Sequence, residues 1–268
     1  MLAIAFIALR LAGEEPWVQS VDAYAYWTTR SGDYYAASGV GVVGAYLYSP
    51  AFAQVLAMIT WLPWQAFVAL WTAINVTAYG LMARRLALLL LLFLPVPFEI
   101  VSGNVHLLIA IAILAGFRYP VAWSFILLTK ITPGIGLLWF AVRREWRSLG
   151  LAIAATLAIA VFSFAIAPGQ WFDWIRSLLG NIGGPGTTRG WYLPVPLLVR
   201  LPLACALVAW GGLTDRRWTV PIAVTLALPV VWLNSLAILV ALVPILSGHP
   251  STLRTRYGRG MPGDPPGR

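Results

Sequence analysis

The residues with chemical potential in this chain sit where polar groups are expensive. Lys130 is its only lysine, set in FILLTKITPGIGLLWF, and no other ionisable side chain occurs between Tyr119 and Val142. Asp22 follows an apolar segment closely, at the head of a tyrosine-rich stretch, SVDAYAYWTTRSGDYYAASGVGVVGAYLYSP. A carboxylate in that position could take the proton of a hydroxyl, a role worth roughly 10² to 10⁴ in rate; it could equally be a solvated loop acid. EIVSGNVH gathers Glu99, Asn104 and His106. Asn104 could cap a following helix, and His106 could sit at a membrane interface. Lys130 reads either as a snorkelling cation or as the counter-charge for an anionic headgroup or phosphate.

The elements that must position these residues are apolar. Of 268 residues 60% are hydrophobic and 10% charged, and the mean hydropathy is +0.81. Stretches such as Leu86 to Pro97 and Leu149 to Ala165 show no polar face at a helical period, so the expected class is all-α, a polytopic transmembrane helix bundle. The net charge of +9 comes from arginines clustered between apolar runs, which reads as a topology signal and excludes a nucleic-acid surface. One cysteine, Cys205, excludes an internal disulfide framework, and two distant histidines give no metal site. No cofactor is expected.

Five basic clusters, at Arg84-Arg85, Arg118, Arg143 to Arg147, Arg216-Arg217 and from Arg254 onward, are expected on the cytoplasmic side. Each interval between them must then hold an even number of crossings. Parity and Pro133 split Tyr119 to Val142 into a hairpin with its tip at KITPG, because proline cannot donate a backbone hydrogen bond and biases Thr132 away from helix. The same logic breaks the chain at PFEIVSGNVH and at LPVVWLNS. About ten membrane segments result, some of them short, in one domain over residues 1–247. MLAIAFIALRLAG reads as a short or truncated first helix, with the true start expected upstream. Residues 13–63 form an outward loop in which Tyr46 to Leu62 lies along the interface, 168–192 form a second outward loop, and 248–268 form a basic, disordered cytoplasmic tail. Both termini are then cytoplasmic in a multi-pass cell-membrane protein. Six of nine acids (Glu14, Glu15, Asp22, Asp33, Glu99 and Asp173) fall on the opposite side, which is where chemistry is expected.

The order of these landmarks resembles the polyprenol-phosphate-mannose-dependent α-mannosyltransferases, glycosyltransferase family 87 of the GT-C superfamily. An early Asp with aromatics and a Gly-Asp-x-Tyr stretch is matched by Asp22, Tyr26, Gly32, Asp33 and Tyr35. A Tyr-Pro-Pro element is matched by Tyr48 to Pro50, a Gly-Gln-x-Asn turn by Gly103 to His106, a Lys-Pro hairpin by Lys130 to Pro133, and a late Ser-Pro-x-x-Trp turn by Leu228 to Trp232. Ser49, Asn104 and His106 depart from the pattern, the late turn lacks an acid or histidine, and the chain is short for the family. The resemblance implies a GT-C-like bundle that transfers a sugar with inversion at the extracytoplasmic face. The donor would be a polyprenyl-phosphate sugar and the acceptor a glycan or glycolipid hydroxyl. It implies Asp22 as base, Lys130 holding the donor phosphate, and Arg200, Asn104, His106 and Tyr48 binding substrate. A transporter, with paired broken helices in repeated halves, is the rival of another class; an inactive carrier-binding relative is a third.

Overall fold

The computed structural model describes residues 20–36, 39–181 and 191–247. The expected first helix, the basic tail and the 182–190 part of the second loop lie outside the described residues. Among those described the fold is all-helical: α1 Val21–Thr28, α2 Pro50–Leu56, α3 Trp64–Ala83, α4 Pro95–Ser102, α5 His106–Gly116, α6 Trp123–Thr129, α7 Leu138–Val142, α8 Trp146–Ile166, α9 Pro168–Gly180, α10 Leu197–Leu213, α11 Thr219–Leu226 and α12 Leu242–Leu246. Runs of 3₁₀ helix at Thr132–Leu137 and Leu233–Ala241 lead into α7 and α12.

Among the described residues two helical stretches are long and apolar enough to cross a bilayer, Trp64–Leu90 and Trp146–Ile166, or three if the bent pair α4–α5 counts as one span. The 21 residues of α8 reach about 32 Å at 1.5 Å per residue, enough for a roughly 30 Å hydrocarbon core. Only Ala152 and Ser163 of that helix are buried, and Leu157, Val161 and Phe162 are more than half exposed. So much uncovered apolar surface on one helix requires lipid around it. The remaining apolar segments, Pro120–Thr129, Thr132–Val142, Leu197–Leu213 and Leu233–Leu246, run to 10–17 residues. The ten crossings expected from charge parity would have to be built largely from these half-length pieces.

The hairpin expected at KITPG is present. Lys130 is extended (φ −143°, ψ 113°) and ends α6. The two arms then lie antiparallel: a Cβ on Gly134 would press on Leu127, one on Gly136 would press on the Trp123 ring, and Phe140 meets that ring edge-on. The two glycines allow this approach because they carry no side chain. The break at PFEIVSGNVH is also present, as a 108° bend between α4 and α5. Gly103 (φ +70°) supplies the left-handed residue there, donating its N–H to Glu99 O at 2.9 Å in a helix-ending turn.

Two segments show local structure finer than the sequence announced. The second loop opens with a helix: Pro168 presets the first turn of α9, and Phe172, Ile175 and Leu179 form an exposed apolar stripe on it. The segment Tyr46 to Leu62, expected along the interface, sets one face into the bundle, with Pro50, Ala51, Phe52, Ala53 and Leu56 of α2 buried, while Val55, Met58 and Trp61 stay exposed. Ser49 explains the docking, because both its N–H (3.2 Å) and its hydroxyl (2.6 Å) donate to Leu128 O at the end of α6. A proline at this position could donate neither bond.

Candidate functional site

Four segments bring their polar side chains to one end of the bundle: α1, the residues before α2, the α4–α5 bend and the end of α6. The first is α1, anchored by the Ser20 hydroxyl donating to Val101 O at 3.0 Å. Its Ala23 lies so close to the 103 turn that a Cβ on Gly103 would come within 2.8 Å of the Ala23 methyl. Trp71 of α3 fixes the same turn by donating to Gly103 O at 2.6 Å. This seating places Asp22, one residue before Ala23, against Asn104.

Asn104 organises the centre. Its side-chain oxygen accepts from Val105 N (2.7 Å) and from the Tyr48 hydroxyl (3.2 Å), which leaves its NH₂ to hydrogen-bond the Asp22 carboxylate. The Tyr26 hydroxyl donates in turn to that of Tyr48 at 3.0 Å. The Lys130 ammonium lies over the Tyr48 ring, 5.4 Å from its centroid, in cation–π contact. Lys130 and Asp22 lie within electrostatic range of each other, and both keep part of their side-chain surface open. Burial pushes the Asp22 carboxyl above its ordinary value. The Asn104 bond opposes that rise, Glu99 adds to it, and Lys130 and His106 oppose it. The result is a carboxylate made more basic without losing its charged partners.

Behind this cluster lies a second network with an enclosed carboxylate, imidazole and serine at its centre. Glu99 accepts from His106 N at 2.6 Å, from His106 Nδ1 at 2.8 Å and from Asn234 Nδ2 at 3.0 Å. Ser235 accepts from Trp232 N at 3.1 Å and lies 3.3 Å from His106 Nε2. His106 thus meets the Glu99 carboxylate through Nδ1 and the Ser235 hydroxyl through Nε2. Glu99, His106 and Ser235 are each 0% exposed. This Ser-His-Glu order has the connectivity of a nucleophilic triad but no route for a substrate. Its role is to join the α4–α5 bend to the late turn.

Two of the residues expected to bind substrate are engaged with protein groups in this structure. Both ring nitrogens of His106 are occupied inside the protein, so it supports the bend. Arg200 of α10 is 3% exposed and its guanidinium is spent on backbone carbonyls of Val195 (2.7 Å), Leu226, Leu228 (2.8 Å) and Pro229 (2.9 Å). It ties α10 to the end of α11, where Leu226 to Pro229 would otherwise leave buried acceptors unpaired. Ser235, Asn234 and Tyr26 were not expected to act at the site. Only the position of LPVVWLNS at an expected turn hinted at the first two.

Among the described residues no group of three or more His, Cys, Asp or Glu side chains could hold a metal ion.

Fold and site together define a helical protein inserted in a membrane, with a raised-pKa carboxylate and an ammonium facing the same end. The sequence model of Glycosyltransferase family 87 matches residues 46–246, and the chain belongs to that family. It is therefore a membrane glycosyltransferase. The match contains Tyr48, Asn104, Lys130 and Arg200, and Asp22 lies upstream of it. No curated protein and no solved structure matches the chain.

Proposed function

We propose that the protein transfers a hexose, mannose being the leading choice, from a polyprenyl-phosphate donor to an acceptor hydroxyl at the extracytoplasmic face, with inversion at the anomeric carbon. The observation that carries this reading is the meeting of Asp22 and Lys130, from segments more than a hundred residues apart, around the Asn104–Tyr48 pair. Asp22 removes the acceptor proton while the acceptor oxygen forms its bond to the anomeric carbon. The bond from that carbon to the phosphate oxygen breaks on the opposite side, and its electron pair leaves with the phosphate. Lys130 balances the charge that accumulates there. Asn104 orients the base, and Tyr48 supports both it and the cation. A lipid phosphate is already a good leaving group, so a base and a counter-charge suffice. The exposed apolar faces of α8 and α9 give the polyprenyl tail a lipid setting beside the site.

The test is an assay of purified protein in lipid with radiolabelled polyprenyl-phosphate mannose and polyprenyl-phosphate glucose. Label moving to a glycan acceptor from one donor, and abolished by Asp22→Asn with membrane insertion intact, is the expected result. Label that crosses the bilayer without chemical transfer would instead describe a transporter. Sidedness is tested separately: in a Cys205→Ala background, a cysteine replacing exposed Ser31 is expected to react with an impermeant maleimide from outside intact cells.

A further inference from the structure

A second polar concavity, of about 410 Å³, lies between residues 33–36 and α9, lined by Asp33, Tyr35, Asp173, Arg176, Ser177 and Asn181. Its volume is within the range of small-ligand sites, about 300–1,000 Å³. Asn181 braces its wall, accepting from Val40 N at 2.9 Å and donating to Ser177 O at 2.7 Å. Gln170 donates across to Gly32 O. Against this braced frame, the Asp33 carboxylate and the Ser177 hydroxyl make no hydrogen bond to the described residues, and Asp173 accepts from Arg176 alone, at 2.8 Å. The free groups are thus mixed acceptors and donors. Two carboxylates disfavour a phosphate, and two are too few for the described residues to cage a metal. A neutral ligand rich in hydroxyls satisfies both signs at once.

The position of this concavity links it to the transfer site. Tyr35, in its wall, donates to Tyr48 O at 2.7 Å, and Trp174 of α9 donates to Leu47 O. Tyr34, Tyr35, Tyr46 and Tyr48 form a chain of ring contacts with centroids 6.2, 5.9 and 5.5 Å apart, and the last of these rings lies beneath Lys130. The lining residues occupy one face of α9, while Phe172, Ile175 and Leu179 expose an apolar stripe on another. A helix of this kind lies at the boundary between lipid and water, where the sugar headgroup of a glycolipid sits.

We propose that this concavity is an acceptor subsite that holds a pyranose unit of the acceptor glycan away from the hydroxyl that reacts. The proposal rests on the glycosyl-transfer reading for its connection to Asp22, but the binding of a sugar is tested without it. Saturation-transfer NMR is run on the full chain in nanodiscs with methyl α-mannopyranoside, methyl α-glucopyranoside, inorganic phosphate and calcium as separate probes. A pyranoside is expected to bind saturably, and Asp33→Ala/Asp173→Ala, two exposed positions, is expected to weaken it at least tenfold while Asp22→Asn leaves it intact. With a transferring acceptor, the double variant raises the acceptor KM about tenfold with donor KM unmoved. Equal pyranoside binding by wild type and double variant overturns the subsite and leaves the transfer reading standing. So does an absence of saturable pyranoside binding, or a response to phosphate or calcium alone. Pyranoside binding that depends on the two aspartates, with no transfer by the wild type, keeps the subsite and removes the reaction.

Discussion

The two ends of the bundle use charge in opposite ways. At the end opposite the site, the chain reverses through tight turns in which Arg84 (φ 50°), Arg144 (φ 59°) and Asp215 (φ 55°) take left-handed backbone. There Arg143 bridges Glu145 and Asp215, each at 2.7 Å, and Arg217 lies over the Phe117 ring, next to Arg118. Three of the five basic clusters therefore gather at one place, with most of their charge in reach of water. At the site end, Glu99 and His106 are fully enclosed and every polar atom of that pair is bonded to protein. Exposed ion pairs contribute little to stability, with a median of about 0–1 kcal/mol, whereas enclosed ones must be matched atom by atom. The basic end carries the charges expected to set insertion, and the other end carries the residues proposed for transfer.

The largest test of that contrast is Asp22→Asn, expected to lower transfer about 10² to 10⁴-fold in the donor assay with unchanged protein yield in membranes. Next is Lys130→Met. It is expected to cut kcat/KM for the donor more than for the acceptor. It also acts on the base: removing a nearby positive charge disfavours the carboxylate form, so the acid limb of the pH–rate profile moves to higher pH. In the wild type that limb is expected above the range of an ordinary aspartate, because ionised Asp22 is the proposed base and burial raises its pKa. Conversely, Glu99→Gln removes a negative neighbour and moves the limb to lower pH, a displacement that mere loosening of the bend would not produce. Gly103→Ala is expected to cost about 1–3 kcal/mol in thermal or denaturant unfolding through crowding and an unfavourable φ, and to reduce kcat by displacing α1. The smallest effect belongs to the basic end. Arg143→Ala is expected to change stability by less than about 1 kcal/mol and leave transfer within a factor of about two. A large loss of transfer there would erase the distinction between the ends.

The sequence carried the features that are encoded locally. Pro133 and the basic residues on both sides of 119–142 announced the Lys130 hairpin, and Gly103 within a polar interruption announced the α4–α5 bend. The order of the motifs pointed to the family that the match over residues 46–246 establishes. What stayed hidden depends on side-chain direction across distant turns. A buried arginine in an apolar helix looks the same whether it meets a ligand or four carbonyls, so Arg200 was assigned to substrate while its donors are spent on residues 195 and 226–229. The inner partner of His106 was hidden for the same reason, because nothing near it in sequence indicates Ser235, 129 residues away. In α9 an apolar stripe at a helical period lies within the stretch read as an outward loop. In α2 the donors of Ser49 seat one face of the segment against α6.

The seating of α1 also has a consequence for how the protein is made. Asp22 belongs to the first described helix to leave the ribosome, yet the carbonyl that anchors it, on Val101, is 81 residues from its Ser20 partner. At roughly 5–20 residues per second that gap is several seconds of synthesis, and Lys130 arrives later still. During that interval the carboxylate has neither its amide nor its cation. The proposed site is therefore assembled only after the glycine turn at 103 and Lys130 have followed the helix that was made before them.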